Sequence, residues 1–210
     1  MRMMMLGIYL TGKSPFNYVY LHGLIRDEQG RKMSKSIGNV INPLESIEKY
    51  GADALRMALV MNSTPGVDKN ASEAQIRGMR NFANKIWNAG RFVKEFSGEA
   101  PDDAAFNTWY MRTLPVKMSE FLDKFKIGQA AEFIYENFWH DFCDLRIEQA
   151  KAGKISSKQL SECFRSFLKM LHPFVPFVTE AVWKEMGENP TSPAATKGYG
   201  RMLIETPWVG

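Results

Sequence analysis

Cysteine, histidine and long apolar runs are scarce in this 210-residue sequence. The two cysteines, Cys143 and Cys163, lie outside any C-x-x-C or Cys/His spacing, so neither a zinc site nor a disulfide framework has support. Isolated thiols fit a reducing cytoplasm. No apolar stretch approaches the roughly 18 residues of a membrane span. The opening MRMMMLGIYLTGK places a cation before a short apolar run, but no small-residue cleavage pattern follows, so it reads as a buried helix. There is no internal repeat, which sets solenoids and propellers aside. Neither sign of charge dominates: 27 Lys and Arg against 23 Asp and Glu leave a net +4, which permits a nucleic-acid partner without requiring one.

The 45% of apolar residues can fill a core. Residues 1–10 read as a helix ended by Thr11-Gly12-Lys13, residues 17–25 (NYVYLHGLI) as a strand, and residues 27–30 as a turn. One helix and one strand cannot cover their own apolar faces, so this piece reads as the end of a larger α/β domain. Asn42-Pro43 starts a short helix that Gly51 ends; residues 52–61 form another, and residues 63–70 (STPGVDKN) make a turn-rich linker. Helical pattern then dominates. Ser72 with Gln75 forms a capping box for a helix reaching about Phe96, and further helices are expected at 104–124, 128–151, 156–171 and 176–186. Ser156 with Gln159 makes a second capping box, and Pro115 either kinks its helix or splits it. The tail at 187–200 is loop-like, and residues 202–204 read as a short strand.

The most chemically loaded stretch is GRKMSKSIGN, residues 30–39. It holds Arg31, Lys32 and Lys35 with Ser34 and Ser36, contains no carboxylate, and is bracketed by glycines. Such a loop suits an anion of high charge density, because lysine is a flexible point charge that can follow a moving phosphate.

At KMSKS the sequence resembles the class I aminoacyl-tRNA synthetases, whose second signature has this form. GRKMSKSIGNVINPLESIEKYGADALRMAL, RNFANKIWNAGRFV, FWHDFCDLRIEQAK and LHPFVPFVTEAVW are similar to successive blocks of the valyl branch of that family, in the same order. The resemblance implies a mainly α chain. A helical-bundle anticodon-binding domain (residues 71–186) follows a small α/β remnant of a Rossmann-like nucleotide-binding catalytic domain (residues 1–38). Connecting helices and linker occupy 39–70, and a tail 187–210.

By the same resemblance, Lys35 is the main pyrophosphate contact and Lys32 assists. Lys32, Met33, Ser34, Lys35 and Ser36 form the ATP-binding loop, with Met33 anchoring it by packing. Gly30 and Gly38 permit the loop to move, and Arg31 either joins the phosphate contacts or is solvated beside Asp27 and Glu28. The implied reaction is activation of valine by ATP, with Mg2+ accompanying the nucleotide, followed by transfer to tRNA. No metal ligand is recognised in this chain, and neither a membrane nor a DNA partner is expected. The family's upstream His-Ile-Gly-His signature is absent. His22 in LHG reads instead as a structural histidine in the strand, so the chain is expected to need a missing N-terminal catalytic half and to be inactive alone. Alternatives are a non-catalytic tRNA-binding module, or the matching part of an isoleucyl- or leucyl-tRNA synthetase.

At roughly 100° per residue, Ile76, Met79, Phe82, Ala83, Ile86, Ala89 and Val93 share the core face of the long helix. Arg77, Arg80, Asn81, Asn84, Asn88 and Arg91 share the opposite face, which by spacing is either a solvated polar face or a strip for RNA; the resemblance implies the latter, a tRNA-binding strip with Trp87 and Phe92 at its margins. Tyr135, Phe138 and Phe142 fall on one face and read as core. Asp141, Asp144 and Glu148 would repel RNA, so they should point away from it or anchor a cation from a neighbouring helix. Leu145-Arg146 replaces an aromatic pair common in the resembled family, which leaves the packing there open, as does Pro115.

Overall fold

Gly12, at φ 70°, ends the first helix, α1 (Arg2–Thr11), where its left-handed conformation lets its N–H reach the Ile8 carbonyl. The structure is a computed structural model that describes residues 1–101, 103–187 and 202–208. α1 forms as expected but is not buried: none of its residues is buried, and Met3, Leu6 and Tyr9 stand exposed. A single helix needs an opposing layer, and the described chain lays none against it.

Of the strand expected over residues 17–25, only β1 (Ile25–Arg26) forms. A strand runs only as far as its partner, here β2 (Lys69–Asn70), which lies parallel with Ile25 opposite Lys69 and Arg26 opposite Asn70. The turn-rich linker thus supplies the second strand. Gly23 is required at this crossing, because a Cβ there would sit 1.8 Å from the Val67 carbonyl oxygen. Arg26 donates to the Asp68 carboxylate (2.6 Å), which also accepts the Leu24 N–H (2.8 Å).

Three helices join this corner to the bundle. α2 (Pro43–Tyr50) is capped by Asn42, whose side chain accepts the Leu44 N–H. α3 (Ala52–Val60) follows directly after Gly51, and α4 (Glu73–Glu95) is capped by Ser72, which accepts the Gln75 N–H. Beyond them α5 (Ala104–Thr108) winds through a π-helical stretch, Trp109–Thr113, into α6 (Leu114–Asp123). The alternatives at Pro115 resolve as this change of winding: the proline is buried in the first turn of α6, where a missing N–H costs least. α7 (Ile127–Glu136) runs through a second π-helical stretch, Asn137–Arg146, into α8 (Ile147–Lys151). α9 (Ser157–Leu171), capped by Ser156, and α10 (Pro176–Glu185) complete the bundle. Residues 203–205 form a single 3-10 turn where a strand was expected, with Leu203 buried and its N–H donated to Glu180 (2.9 Å). Apart from Gly187, the loop expected over 187–200 lies outside the described residues.

Phe82, Tyr110, Phe138, Phe142, Phe164 and Phe167 form the aromatic centre of the bundle, all almost fully buried. Tyr135 is half-buried and packs on Phe82, so the core reading of that face holds. The two π-helical stretches meet at a polar triad: Tyr110 donates its hydroxyl proton to Asp141, and Arg146 reaches both (2.8 Å to the tyrosine oxygen, 3.2 Å to the carboxylate). Arg146 therefore takes a defined polar place between the two stretches, while Leu145 is exposed. Of the acidic residues expected to anchor a cation from a neighbouring helix, only Asp144 does so among the described residues, holding Lys85 of α4 (2.7 Å); Asp141 holds Arg146 and Glu148 holds Lys151 (2.7 Å) within their own helical run.

A second apolar cluster, Ala54, Leu55, Ala58 and Ile76, lies between α3 and α4, and Met79 touches both clusters. α3 is fixed at both ends. The Asp53 carboxylate accepts the Phe177 (3.1 Å) and Val178 (2.6 Å) N–H groups at the start of α10, and Lys69 donates to the Ala58 (2.6 Å) and Met61 carbonyls. Residues 172–175, with Pro173 among them and Pro176 opening α10, form a turn between α9 and α10.

Candidate functional site

The lysine loop leaves β1 through a tight turn at Asp27. Gly30, at φ 76°, brings its N–H back to the Asp27 carbonyl, and Arg26 pairs with Lys32 across the turn. The buried Asp27 carboxylate then gathers donors: the Gln29 (3.1 Å) and Arg31 (2.7 Å) N–H groups, the Arg31 guanidinium (2.8 Å) and the Asn39 carboxamide (2.8 Å). These bonds, Asn39 foremost, hold its pKa below the ordinary aspartate value despite the opposing effect of burial. Arg31 is thus committed to Asp27, which resolves the two readings of that residue toward an ion pair.

Asn39 closes the loop from the other side, its oxygen accepting the Ser34 N–H (2.8 Å) and its amide also approaching the Lys32 carbonyl (3.3 Å). Between them, residues 34–38 form one helix-like turn ended by Gly38 at φ 74°, whose N–H bonds the Ser34 carbonyl (3.1 Å). The Ser34 and Ser36 hydroxyls bond each other (2.6 Å). Met33 points inward and lines a cavity of about 200 Å³ with Ile25, Ile41, Leu55, Leu59 and Ile76, so it anchors the loop to β1, α3 and α4. Lys32 and Lys35 are exposed, and among the described residues their ammonium groups bond nothing. A rigid base carrying two unpaired cations and two hydroxyls is suited to a polyanion that must be both held and released.

His22 is exposed in an irregular segment, with Nδ1 2.9 Å from the neighbouring Gly23 carbonyl. The structural role expected for it in an apolar strand does not hold, because that strand does not extend to it. No set of three or more His, Cys, Asp or Glu side chains gathers in a metal-binding arrangement among the described residues.

α4 divides as its periodicity demands. Ile76, Phe82, Ile86, Ala89 and Val93 are buried and Met79 and Ala83 half-buried, while Arg77, Arg80, Asn81, Asn84, Asn88 and Arg91 are all exposed along the other side. None of these six side chains makes a hydrogen bond or ion pair among the described residues. Lys85 does not join them, being held by Asp144 and lying 4.2 Å from the Trp139 ring centre.

With this geometry in place, comparison supplies the family. Residues 1–72 match the family described as tRNA synthetases class I (I, L, M and V), and residues 111–209 match the anticodon-binding domain of tRNA ligase. The chain belongs to the class I tRNA synthetase family. Among curated synthetases, the valine–tRNA ligase of Bacillus thuringiensis subsp. konkukian is 40% identical over 208 residues, covering 88% of this chain and 23% of the relative. That of Carboxydothermus hydrogenoformans is 37% identical over 225 residues, covering 99% and 24%. The chain thus spans about a quarter of the length of these synthetases.

A solved Agrobacterium radiobacter K84 leucyl synthetase, agnB2 LeuRS, in ternary complex with tRNA and LeuAMS, has the same fold over 99% of this chain and 26% of its own (TM-score 0.73, 24% identity). Mycobacterium tuberculosis methionyl-tRNA synthetase in complex with methionyl-adenylate matches more distantly, over 80% of this chain and 38% of its own (TM-score 0.61, 18% identity). The α4 strip lies between the two synthetase family matches, inside the span aligned with the Carboxydothermus enzyme. The sequence marks Asp27 only as a neighbour of Arg31 and gives Asn39 no role, so the joint part they play in holding the loop is not foreseen there. Their available signal was two short polar side chains flanking a carboxylate-free cationic loop.

Proposed function

We propose that this chain is the part of a cytoplasmic valine–tRNA ligase that supplies the KMSKS loop and the tRNA-contacting helical bundle. In this reading residues 1–38 close the catalytic domain, residues 39–70 connect, residues 71–186 form the anticodon-binding bundle and residues 187–210 the tail. The observation that carries it is the unpaired state of Lys32 and Lys35 on a loop whose base is fixed by Asp27, Asn39 and Met33. Valine activation is an in-line attack of the substrate carboxylate on the ATP α-phosphate, and charge accumulates on the departing pyrophosphate. Lys35 neutralises that charge as it develops, Lys32 assists, and Ser34 and Ser36 exchange their mutual hydrogen bond for phosphate oxygens. Magnesium travels with the ATP phosphates, and this chain contributes its own lysines and hydroxyls.

Arg77, Arg80, Asn81, Asn84, Asn88 and Arg91 meet the tRNA, the guanidiniums on phosphates and the carboxamides on sugar or base edges. The similarity to valine–tRNA ligases favours valine as the amino acid. In the complete ligase, Lys35→Ala should lower ATP–pyrophosphate exchange by about 100-fold or more while the KM for valine changes little. Unchanged exchange would remove the loop from the reaction.

A further inference from the structure

Trp87 lies outside the stacked aromatic centre of the bundle. It is 38% exposed, and its ring stacks on no other ring among the described residues. Trp139, by contrast, lies against Phe82 (ring centres 6.1 Å apart, 15° between planes). Trp87 forms one side of an open groove of about 640 Å³ between α4 and the start of α10, and Phe177, 66% exposed and equally free of ring partners, also lines it. Tyr50 and Ala83 contribute further apolar wall, while Arg80 and Asn84, both unpaired among the described residues, stand about two turns and one turn, respectively, before Trp87 on the same helix. One helical turn beyond Trp87, unpaired Arg91 borders an adjoining hollow with Gly90 and Val182. The carboxylate lining the main groove, Asp53, is already committed to the Phe177 and Val178 N–H groups, so it does not answer these guanidiniums.

A bare indole face between two free guanidiniums and a free carboxamide matches one occupant in all its parts. A nucleobase stacks on the indole, its Watson–Crick edge meets the carboxamide, and its flanking phosphates meet the arginines. An apolar protein segment would use the aromatics and leave the guanidiniums unanswered. We infer that Trp87 is the stacking platform for one unpaired nucleotide of the bound tRNA, a reading that rests on the RNA-contact role proposed for α4.

The test is equilibrium binding of a tRNA(Val) transcript to the full 210-residue chain across a salt series, with Trp87→Leu, Trp87→Phe, Arg80→Ala and Arg91→Ala. Trp87→Leu should weaken binding about tenfold or more at every salt concentration without altering the salt slope, because stacking displaces no counterions. Trp87→Phe keeps a π-face and should stay within about threefold of the parent. Each arginine variant should instead flatten the salt slope by about one. If the arginine variants behave so while Trp87→Leu binds like the parent, the stacking platform is overturned and the strip survives. If Trp87→Leu weakens binding while both arginine variants leave affinity and slope unchanged, the strip fails and the platform stands. Absence of tRNA binding by the parent chain at low salt overturns both. Loss with Trp87→Phe equal to that with Trp87→Leu also counts against stacking, and points to a protein segment seated in the groove.

Discussion

The carboxamide of Asn39 donates to the Asp27 carboxylate and, through its oxygen, accepts the N–H of Ser34, both at 2.8 Å. One uncharged side chain thereby ties the entry of the lysine loop to its exit. Without it the entry turn keeps its Asp27–Arg31 bonds and Met33 its cavity, but among the described residues nothing ties residues 34–39 back to Asp27.

Asn39→Ala should therefore loosen the loop without unfolding the chain. The Ser34 amide loses its acceptor, and its hydrogen–deuterium exchange should accelerate by about tenfold or more while protection in α4 and α9 stays unchanged. Equal protection of Ser34 in both proteins would show that the latch does not restrain the loop.

Acid should act on the same latch. The Asp27 pKa is below its ordinary value of 3.8, chiefly through the Asn39 bond and with help from Arg31. A depressed carboxylate stabilises the fold fully above that ordinary value, and its contribution is lost as pH falls through the lower folded value. Stability of the parent should decline below about pH 4 more steeply than that of Asp27→Asn, as read by urea denaturation at a series of pH values.

Two glycines should respond to alanine with opposite signs. Gly78 lies inside α4 with nothing within 4 Å of an added methyl, so Gly78→Ala should raise stability by about 1 kcal/mol. Gly128 lies in α7 with the Ser63 carbonyl oxygen 2.1 Å from where the methyl would go. Gly128→Ala should lower stability by about 1–3 kcal/mol despite the better helix former. Chemical denaturation of both variants measures the contrast.

Asp53→Ala should destabilise by about 1–2 kcal/mol, since it leaves two N–H groups at the start of α10 without their acceptor. The same denaturation curves report it, and a change below about 0.3 kcal/mol would mean that water replaces the carboxylate at no cost.

How much of this was legible beforehand depends on the range of the interactions. The caps at Asn42, Ser72 and Ser156, the end at Gly12 and the two faces of α4 all depend on residues within a turn or two, and each is present as read. The extended strand and the burial of α1 failed because both depend on neighbours distant in sequence: β1 could be no longer than β2, and α1 meets no opposing layer in the described chain. Arg146 illustrates the same limit at a single position. It looked like a packing fault, yet its partners Tyr110 and Asp141 lie on two separate helical segments that both change winding where they meet. In the loop, the cations were evident from composition, whereas the Asn39 latch exists only once the chain has turned back on itself.

α3 and α4 each contribute to both apolar clusters: Met57 faces the large one while Leu55 faces the small, and Phe82 and Ile76 divide in the same way. The two stretches matched to separate families are thus stitched together by shared helices, without a hinge between them. Severing the chain in the linker between β2 and the preceding helix would strip one wall from each interior at once, so neither product would be a self-sufficient unit. Whatever assembly this polypeptide enters, residues 42–101 and 103–187 should arrive there, and melt, as a single body.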